Sequence, residues 1–271
     1  MDLNLSGKTA LVTGSSKGIG EAIVKKLAAE HAVVIVHGRD RGQAERVASE
    51  IIALGATAYV VVGDLTHDDE VHQLLEAARN LAGPIDILIN NAGGSGGLKE
   101  SWTNTRATSW ASAYDRNVLA ALRVTTGLLP AMREARWGRV INVSSLAATM
   151  PPANAPDYSA AKAAINAMTA SMAKAVAADG VTVNAVSPGT IHSSTLEARF
   201  REVADERDLC SKDAPWEVIE RTLLPLFAQV PVGRVGRLDE IAAAVAFLAS
   251  PLSGYITGIN LRVDGGLSPT L

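Results

Sequence analysis

Cys210 is the only cysteine among 271 residues. A lone thiol excludes an internal disulfide and suits a reducing compartment. Dense lysine or arginine runs are also missing: 25 basic and 28 acidic side chains leave a formal net charge of −3 and a pI near 6.0. Nucleic acid and an anionic membrane surface are therefore not expected partners. Charge or glycine interrupts every apolar run before it reaches membrane-spanning length. Met1-Asp-Leu-Asn-Leu-Ser6 has no signal-peptide pattern, so a cytoplasmic location is the expectation. The histidines are scattered, with His67 and His72 flanking an acidic run, and no metal site is expected. No low-complexity tail or linker marks a second unit. What the chain does have is apolar content, 48% of its residues. That is enough for a large core, and the length predicts a single domain over 1–271.

Apolar, β-branched runs alternate with helical patterns from end to end. Lys8-Thr-Ala-Leu-Val-Thr13, Val33-Val-Ile-Val36, Thr57-Ala-Tyr-Val-Val-Val62, Asp86-Ile-Leu-Ile-Asn90, Arg139-Val-Ile-Asn-Val143, Val181-Thr-Val-Asn-Ala-Val186 and Asn260-Leu-Arg-Val263 read as seven strands. Helices are predicted near 18–30, up to 54, over 68–81, within 107–135, over 155–178 and over 239–249. Short apolar strands joined by helical crossovers imply a parallel sheet covered on both faces. Ligands in such sheets bind beyond the carboxyl ends of the strands. Those ends carry Gly14, Arg39, Asp64, Asn90, Ser145 and Pro188.

Two local patterns suggest chemistry. Gly14-Ser-Ser-Lys-Gly18-Ile-Gly20 joins the first strand to a helix opening near residue 18. Glycine lets the backbone approach a ligand, and the helix N-terminus favours an anionic phosphate. The spacing is G-x-x-x-G-x-G, and a plain tight connection would also fit it. Tyr158 and Lys162, four apart on a predicted helix, share one face. An ammonium beside the phenol favours phenolate and draws its pKa down from about 10. The same spacing also suits a solvated lysine lying along an aromatic ring. Ser145, thirteen residues upstream of Tyr158, ends an apolar run.

Thr13-Gly-Ser-Ser-Lys-Gly-Ile-Gly20, Asp64, Asn90-Asn-Ala-Gly93, Asn117, Ser145, Tyr158-x-x-x-Lys162 and Ser187-Pro-Gly189 together resemble a short-chain dehydrogenase/reductase. The pattern is nearest to 3-oxoacyl-(acyl-carrier-protein) reductase-like members and covers nearly the whole chain. The resemblance implies a Rossmann-type doubly wound α/β sheet and hydride transfer between a nicotinamide cofactor and a carbonyl or secondary alcohol. It makes Tyr158 the proton donor and Ser145, rather than its neighbour Ser144, the hydrogen-bonding partner of the substrate oxygen. Lys162 lowers the tyrosine pKa and binds the nicotinamide ribose, and Asn117 holds a proton-relaying water. Asp64 and Leu65 flank the adenine, Asn90, Ala92 and Gly93 border the adenosine ribose, and Pro188, Gly189 and Ile191 approach the carboxamide. Gly14, Ser16, Lys17, Gly18, Ile19 and Gly20 cradle the phosphates. Ser193 stands where many relatives carry threonine. Relatives also form homotetramers through the helices containing Asn117 and Tyr158, where Ala163, Ala164 and Ala167 permit close packing.

Charge argues for the cofactor. NAD-preferring relatives place an acid at the end of the second strand, and this slot is Gly38. Arg39 and Lys17 supply cations for a 2′-phosphate, so NADP(H) is expected, with NAD(H) possible because Asp40 stands nearby. Residues 94–97, Trp102 and Trp110 are expected to wall the substrate pocket on one side, and a mobile lid over about 190–236 on the other. Trp216 and Phe227 suit either pocket or core, and His192 either substrate contact or exposed loop. The leading substrates are 3-oxoacyl thioesters, with sugars, polyols and hydroxysteroids behind. A dinucleotide sensor without catalysis is the alternative of another class.

Overall fold

The computed structural model describes residues 2–95 and 102–269. Its strands are β1 (Thr9–Val12), β2 (Val33–Gly38), β3 (Ala58–Val62), β4 (Ile87–Asn90), β5 (Gly138–Val143), β6 (Val181–Pro188) and β7 (Asn260–Val263). They form one sheet in the order β3-β2-β1-β4-β5-β6-β7. Every pairing is parallel, with Leu11 opposite Ile35 on one side and Leu88 on the other. Helices connect the strands: α1 (Gly18–Ala29), α2 (Arg41–Ala53), α3 (Asp68–Ala82), α4 (Ala107–Tyr114), α5 (Ala120–Glu134), α6 (Pro156–Val176), α7 (Ser194–Glu206), α8 (Trp216–Phe227) and α9 (Leu238–Ala249).

The period-two alternation of the strands sorts the core into two layers. Ala10 and Val12 join Ile23, Val47 and Val245 from α1, α2 and α9 on one face. Leu11, on the other, joins Leu74, Leu128 and Val176 from α3, α5 and α6. Both faces are covered, which is why the strands read as unbroken apolar runs. Strand order reverses between β1 and β4, and the crevice there opens at the carboxyl ends of the strands. No helix among the described residues is long and apolar enough to cross a membrane.

Two elements differ from the sequence expectation. The helix predicted within 107–135 is divided by a π-turn over Asp115–Leu119. The segment expected as a lid holds α7 and α8, two helices given no bounds in the sequence reading, which enclose a small core of their own: Phe200, Val203, Ile219 and Leu223 are buried there. Trp216 packs against this cluster and Phe227 is exposed at its edge, their rings stacking on Phe200 at 5.9 and 4.7 Å between centroids.

Candidate active site

The crevice between the β1 and β4 ends is a cleft of about 830 Å³, in the range of cofactor and ligand sites. Its floor is the glycine turn. Gly14 and Gly18 have φ of 63° and 60°, a left-handed backbone that disfavours any side chain. A Cβ on Gly20 would lie 2.3 Å from the Gly14 carbonyl oxygen, so only glycine lets α1 pack this closely on the turn. The N-cap, Lys17, makes no side-chain capping bond, leaving the first amides of α1 without a side-chain acceptor. Such an end attracts an anion. The residues therefore fit a dinucleotide phosphate.

One wall comes from β2 and β3. Gly38 ends β2, and a Cβ there would meet Ser16 Oγ at 2.9 Å, so a carboxylate in this slot would require the Ser16 side chain to shift. Arg39 and Lys17 both line the cleft. Asp40 does not; its carboxylate accepts from Gln43 N at 3.0 Å and caps α2. Asp64 sits beyond β3, where its Oδ1 accepts from Thr66 N at 2.9 Å and Thr66 Oγ1 at 2.8 Å. The Thr66 amide leads the interactions that hold this carboxyl below its ordinary value. Arg39 Nη1 lies 3.6 Å from Asp64 Oδ2. Ser16, Ile19, Leu65, Ala92, Gly93, Pro188, Gly189 and Ile191 also line the cleft as expected.

Asn90 does not, and this corrects the sequence reading. Its side chain turns into the core, where Nδ2 donates to Thr125 Oγ1 and Asn142 Oδ1, both at 2.9 Å. The neighbouring Asn91 faces the cleft, and its Nδ2 donates to the carbonyls of Thr13 and Gly14 at 3.0 Å each. The alternation that makes Ile89 a core residue could have flagged Asn91, because a strand end still carries the two-residue period.

The opposite wall is β5 and α6. Ser145 accepts from Ala147 N at 3.1 Å, beginning a short 3₁₀ turn, and its hydroxyl acts on the Tyr158 phenol, drawing that group's pKa down against burial. Ser144 is buried and donates to the Lys162 carbonyl at 3.2 Å, which removes it as the rival. Lys162 Nζ donates to the Val143 carbonyl at 2.8 Å and lies 5.7 Å from the Tyr158 ring centroid. Burial raises the Tyr158 pKa, partly offset by the Ser145 hydrogen bond, and burial also brings Lys162 down to about 8.

Asn117 lies in the π-turn at 1% exposure and does not line the cleft. Its Nδ2 donates to Ala113 O at 2.8 Å and Gly94 O at 3.1 Å, while Oδ1 accepts from Gly94 N at 2.9 Å. The side-chain amide thus pins the loop after β4 to the helix.

At the mouth, His192 and Ser193 line the cleft. Ser193 Oγ accepts from Leu196 N at 3.1 Å as the N-cap of α7. His192 Nε2 pairs with Glu197 Oε2 at 3.1 Å, and its ring meets Trp216 edge-on at 4.7 Å. Trp102 and Trp110 contact each other at 5.9 Å and do not line the cleft, while the expected wall residues 96 and 97 lie outside the described residues.

Comparison with known proteins agrees with this geometry. A family model for short chain dehydrogenases matches residues 8–204. The 3-oxoacyl-(acyl-carrier-protein) reductase FabG of Vibrio cholerae is 38% identical over 265 residues, spanning 98% of this chain and 99% of the relative. The Escherichia coli protein of the same description is 35% identical with the same coverage. Among solved structures, L-sorbose reductase from Gluconobacter frateurii, complexed with NADPH and L-sorbose, superimposes with a TM-score of 0.91. It is 30% identical, and both chains are fully covered.

Proposed function

The chain belongs to the short-chain dehydrogenase family, and on that premise we propose that it is an NADP(H)-dependent reductase of carbonyl groups, reversible toward secondary alcohols. The observation that carries this reading is one cleft holding Ser145, Tyr158 and Lys162 at one end and the uncapped glycine turn with Lys17 and Arg39 at the other. Bound there, the nicotinamide supplies or accepts the hydride. Tyr158 is the proton donor to the carbonyl oxygen, and its raised pKa keeps it protonated until that oxygen becomes basic. Ser145 orients the same oxygen by hydrogen bonding. Lys162 contributes positive charge behind the phenol and a donor for a ribose hydroxyl. Asn117 acts through the loop that it pins.

The cations and the empty acid slot at Gly38 support NADP(H) over NAD(H). Arg39→Glu is expected to weaken NADPH at least about tenfold relative to NADH, because a 2′-phosphate would then face a carboxylate. Fluorescence titration of both cofactors checks this, and an unchanged ratio removes Arg39 from phosphate recognition.

For the substrate we favour a 3-oxoacyl thioester, on the strength of the 3-oxoacyl-(acyl-carrier-protein) reductases at 34–38% identity. A sugar or polyol is the second reading, favoured by the likeness to L-sorbose reductase and by the α7–α8 lid over residues 190–236 of a single 1–271 domain. Initial rates with NADPH and NADH against acetoacetyl thioesters, keto-sugars, diketones and ketosteroids decide between them. Activity with keto-sugars alone overturns the thioester reading. A folded, cofactor-binding sample inert to every class would restore the sensor alternative. The exposed faces of Ala163 and Ala167 on α6 suit close helix packing between copies, and a cytoplasmic homotetramer is the expected assembly. Its mass in solution tests that.

A further inference from the structure

His37 ends in a buried ring at 2% exposure, yet it forms part of the wall of the cleft. Its two ring nitrogens have unlike partners. Nδ1 stands 3.0 Å from the main-chain amide of Gly14, and Nε2 stands 3.1 Å from the carbonyl oxygen of Gly63. An amide only donates and a carbonyl only accepts, so both bonds form in one state alone: a neutral ring with its proton on Nε2. The main chain of the same residue adds two bonds. His37 N donates to Ser15 Oγ at 3.0 Å, and Ser15 N donates to His37 O at 2.8 Å. One residue thereby fixes Gly14 and Ser15, the first two positions of the turn, and ties them to the end of β3.

We propose that His37 is a positioning residue for the dinucleotide turn, latching Gly14 to Gly63 through its neutral Nε2–H ring, and that acid opens this latch. The inference rests on the dinucleotide reading of the cleft. Protonation would place a second N–H on Nδ1, aimed at the Gly14 amide hydrogen, turning an attraction into a repulsion. Burial holds the ring below its ordinary pKa, the Gly63 carbonyl and the Asp64 carboxylate work against this, and Arg39 adds to it. Asp64 and Arg39 are the charged groups acting on the ring; the glycine turn presents the neutral Gly14 amide and Ser15 hydroxyl. The fold favours the neutral form. Native stability therefore falls as pH drops from the ordinary imidazole value toward the depressed one, and affinity for a ligand that needs the turn intact falls further down, as pH passes through the depressed value and the folded ring itself takes up the proton.

The test compares wild type with His37→Asn, whose amide oxygen can accept from Gly14 and cannot titrate. NADPH dissociation constants are measured by fluorescence from about pH 8 down to about pH 4.5, a range that reaches well below the ordinary imidazole value and in which a phosphate monoester also titrates. That ligand contribution is common to both proteins and cancels in their ratio. The wild-type constant should rise relative to the variant's by about threefold or more toward acid; a constant ratio overturns the proposal. His37→Leu should bind about tenfold more weakly at pH 8, having neither ring partner. The ¹⁵N spectrum of the histidine rings reads the latch directly in ligand-free protein. A neutral, Nε2-protonated His37 at pH 7 supports it, and an Nδ1-protonated or charged ring overturns it. If neither NADPH nor NADH binds the folded protein, the dinucleotide reading fails and this spectrum still decides the latch.

Discussion

Tyr158→Phe is expected to reduce kcat by about 10³-fold or more while leaving dinucleotide affinity within about twofold of wild type. The substitution removes one hydroxyl and keeps the ring. In the protein Tyr158 is half-buried at the head of α6 and its hydroxyl interacts with Ser145, so its removal costs at most one interaction between neutral groups. Stability should change by no more than about 1 kcal/mol. The chemical loss is far larger because Tyr158 is the acid that stands beside Ser145 at this end of the cleft. Lys162 has its Nζ turned to the Val143 carbonyl, and the Ser145 hydroxyl is a much weaker acid than a phenol. Single-turnover reduction at saturating NADPH, with cofactor affinity measured separately, distinguishes the two effects. A variant that turns over within tenfold of wild type would remove Tyr158 as the proton donor. A variant that loses cofactor binding as well would make the phenol part of the dinucleotide site instead.

The β-α alternation was legible because every strand is covered on both faces and must be apolar along its whole length. Boundaries moved by a few residues at most, as when β6 continued to Pro188. The differences in side-chain placement have a common cause. A motif tells which residue type recurs, and the two-residue period of a strand tells which way a side chain points. Asn90 matches the motif, but the pleat carries it inward to Thr125 and Asn142, leaving Asn91 to face the cleft. Asn117 likewise lies near the site in sequence pattern, yet the π-turn sets its amide against Ala113 and Gly94. No periodicity in 107–135 signals that extra residue in the helical turn. The spacing of Tyr158 and Lys162 shows that they share a face; the balance between charge and desolvation depends on what covers that face. His37 escaped notice altogether because a lone histidine in an apolar strand has no signal until its two partners are known.

Lys162→Met is expected to abolish turnover, by about 10²-fold or more, and at the same time to stabilise the fold. Nζ is buried, its one hydrogen bond given by the structure is to a neutral carbonyl, and no carboxylate pairs with it among the described residues. Burial alone brings its pKa from 10.5 to about 8. The difference corresponds to roughly 3 kcal/mol of native stability, as an order-of-magnitude figure, at about 1.4 kcal/mol per unit. Its sign follows from linkage. As pH falls through the window from 10.5 to about 8, the unfolded chain takes up the proton first. Stability declines across that window and stays lowered at neutral pH, where the native ammonium is charged and uncompensated. Methionine fills most of the volume without the charge but leaves the Val143 carbonyl without its donor, costing about 1 kcal/mol. A net gain of about 1–2 kcal/mol remains, or a Tm higher by a few degrees at pH 7 for a chain of this size. The same comparison near pH 10 should show the gain shrinking, because wild-type Lys162 is then neutral in the folded state. Equal Tm values at pH 7 would mean that the ammonium is solvated well enough to carry no penalty, and its retention would then need no catalytic reason. A gain that shrinks toward pH 10, joined to a loss of turnover, would identify an unpaired buried cation kept at the expense of stability because the reaction needs its charge behind Tyr158.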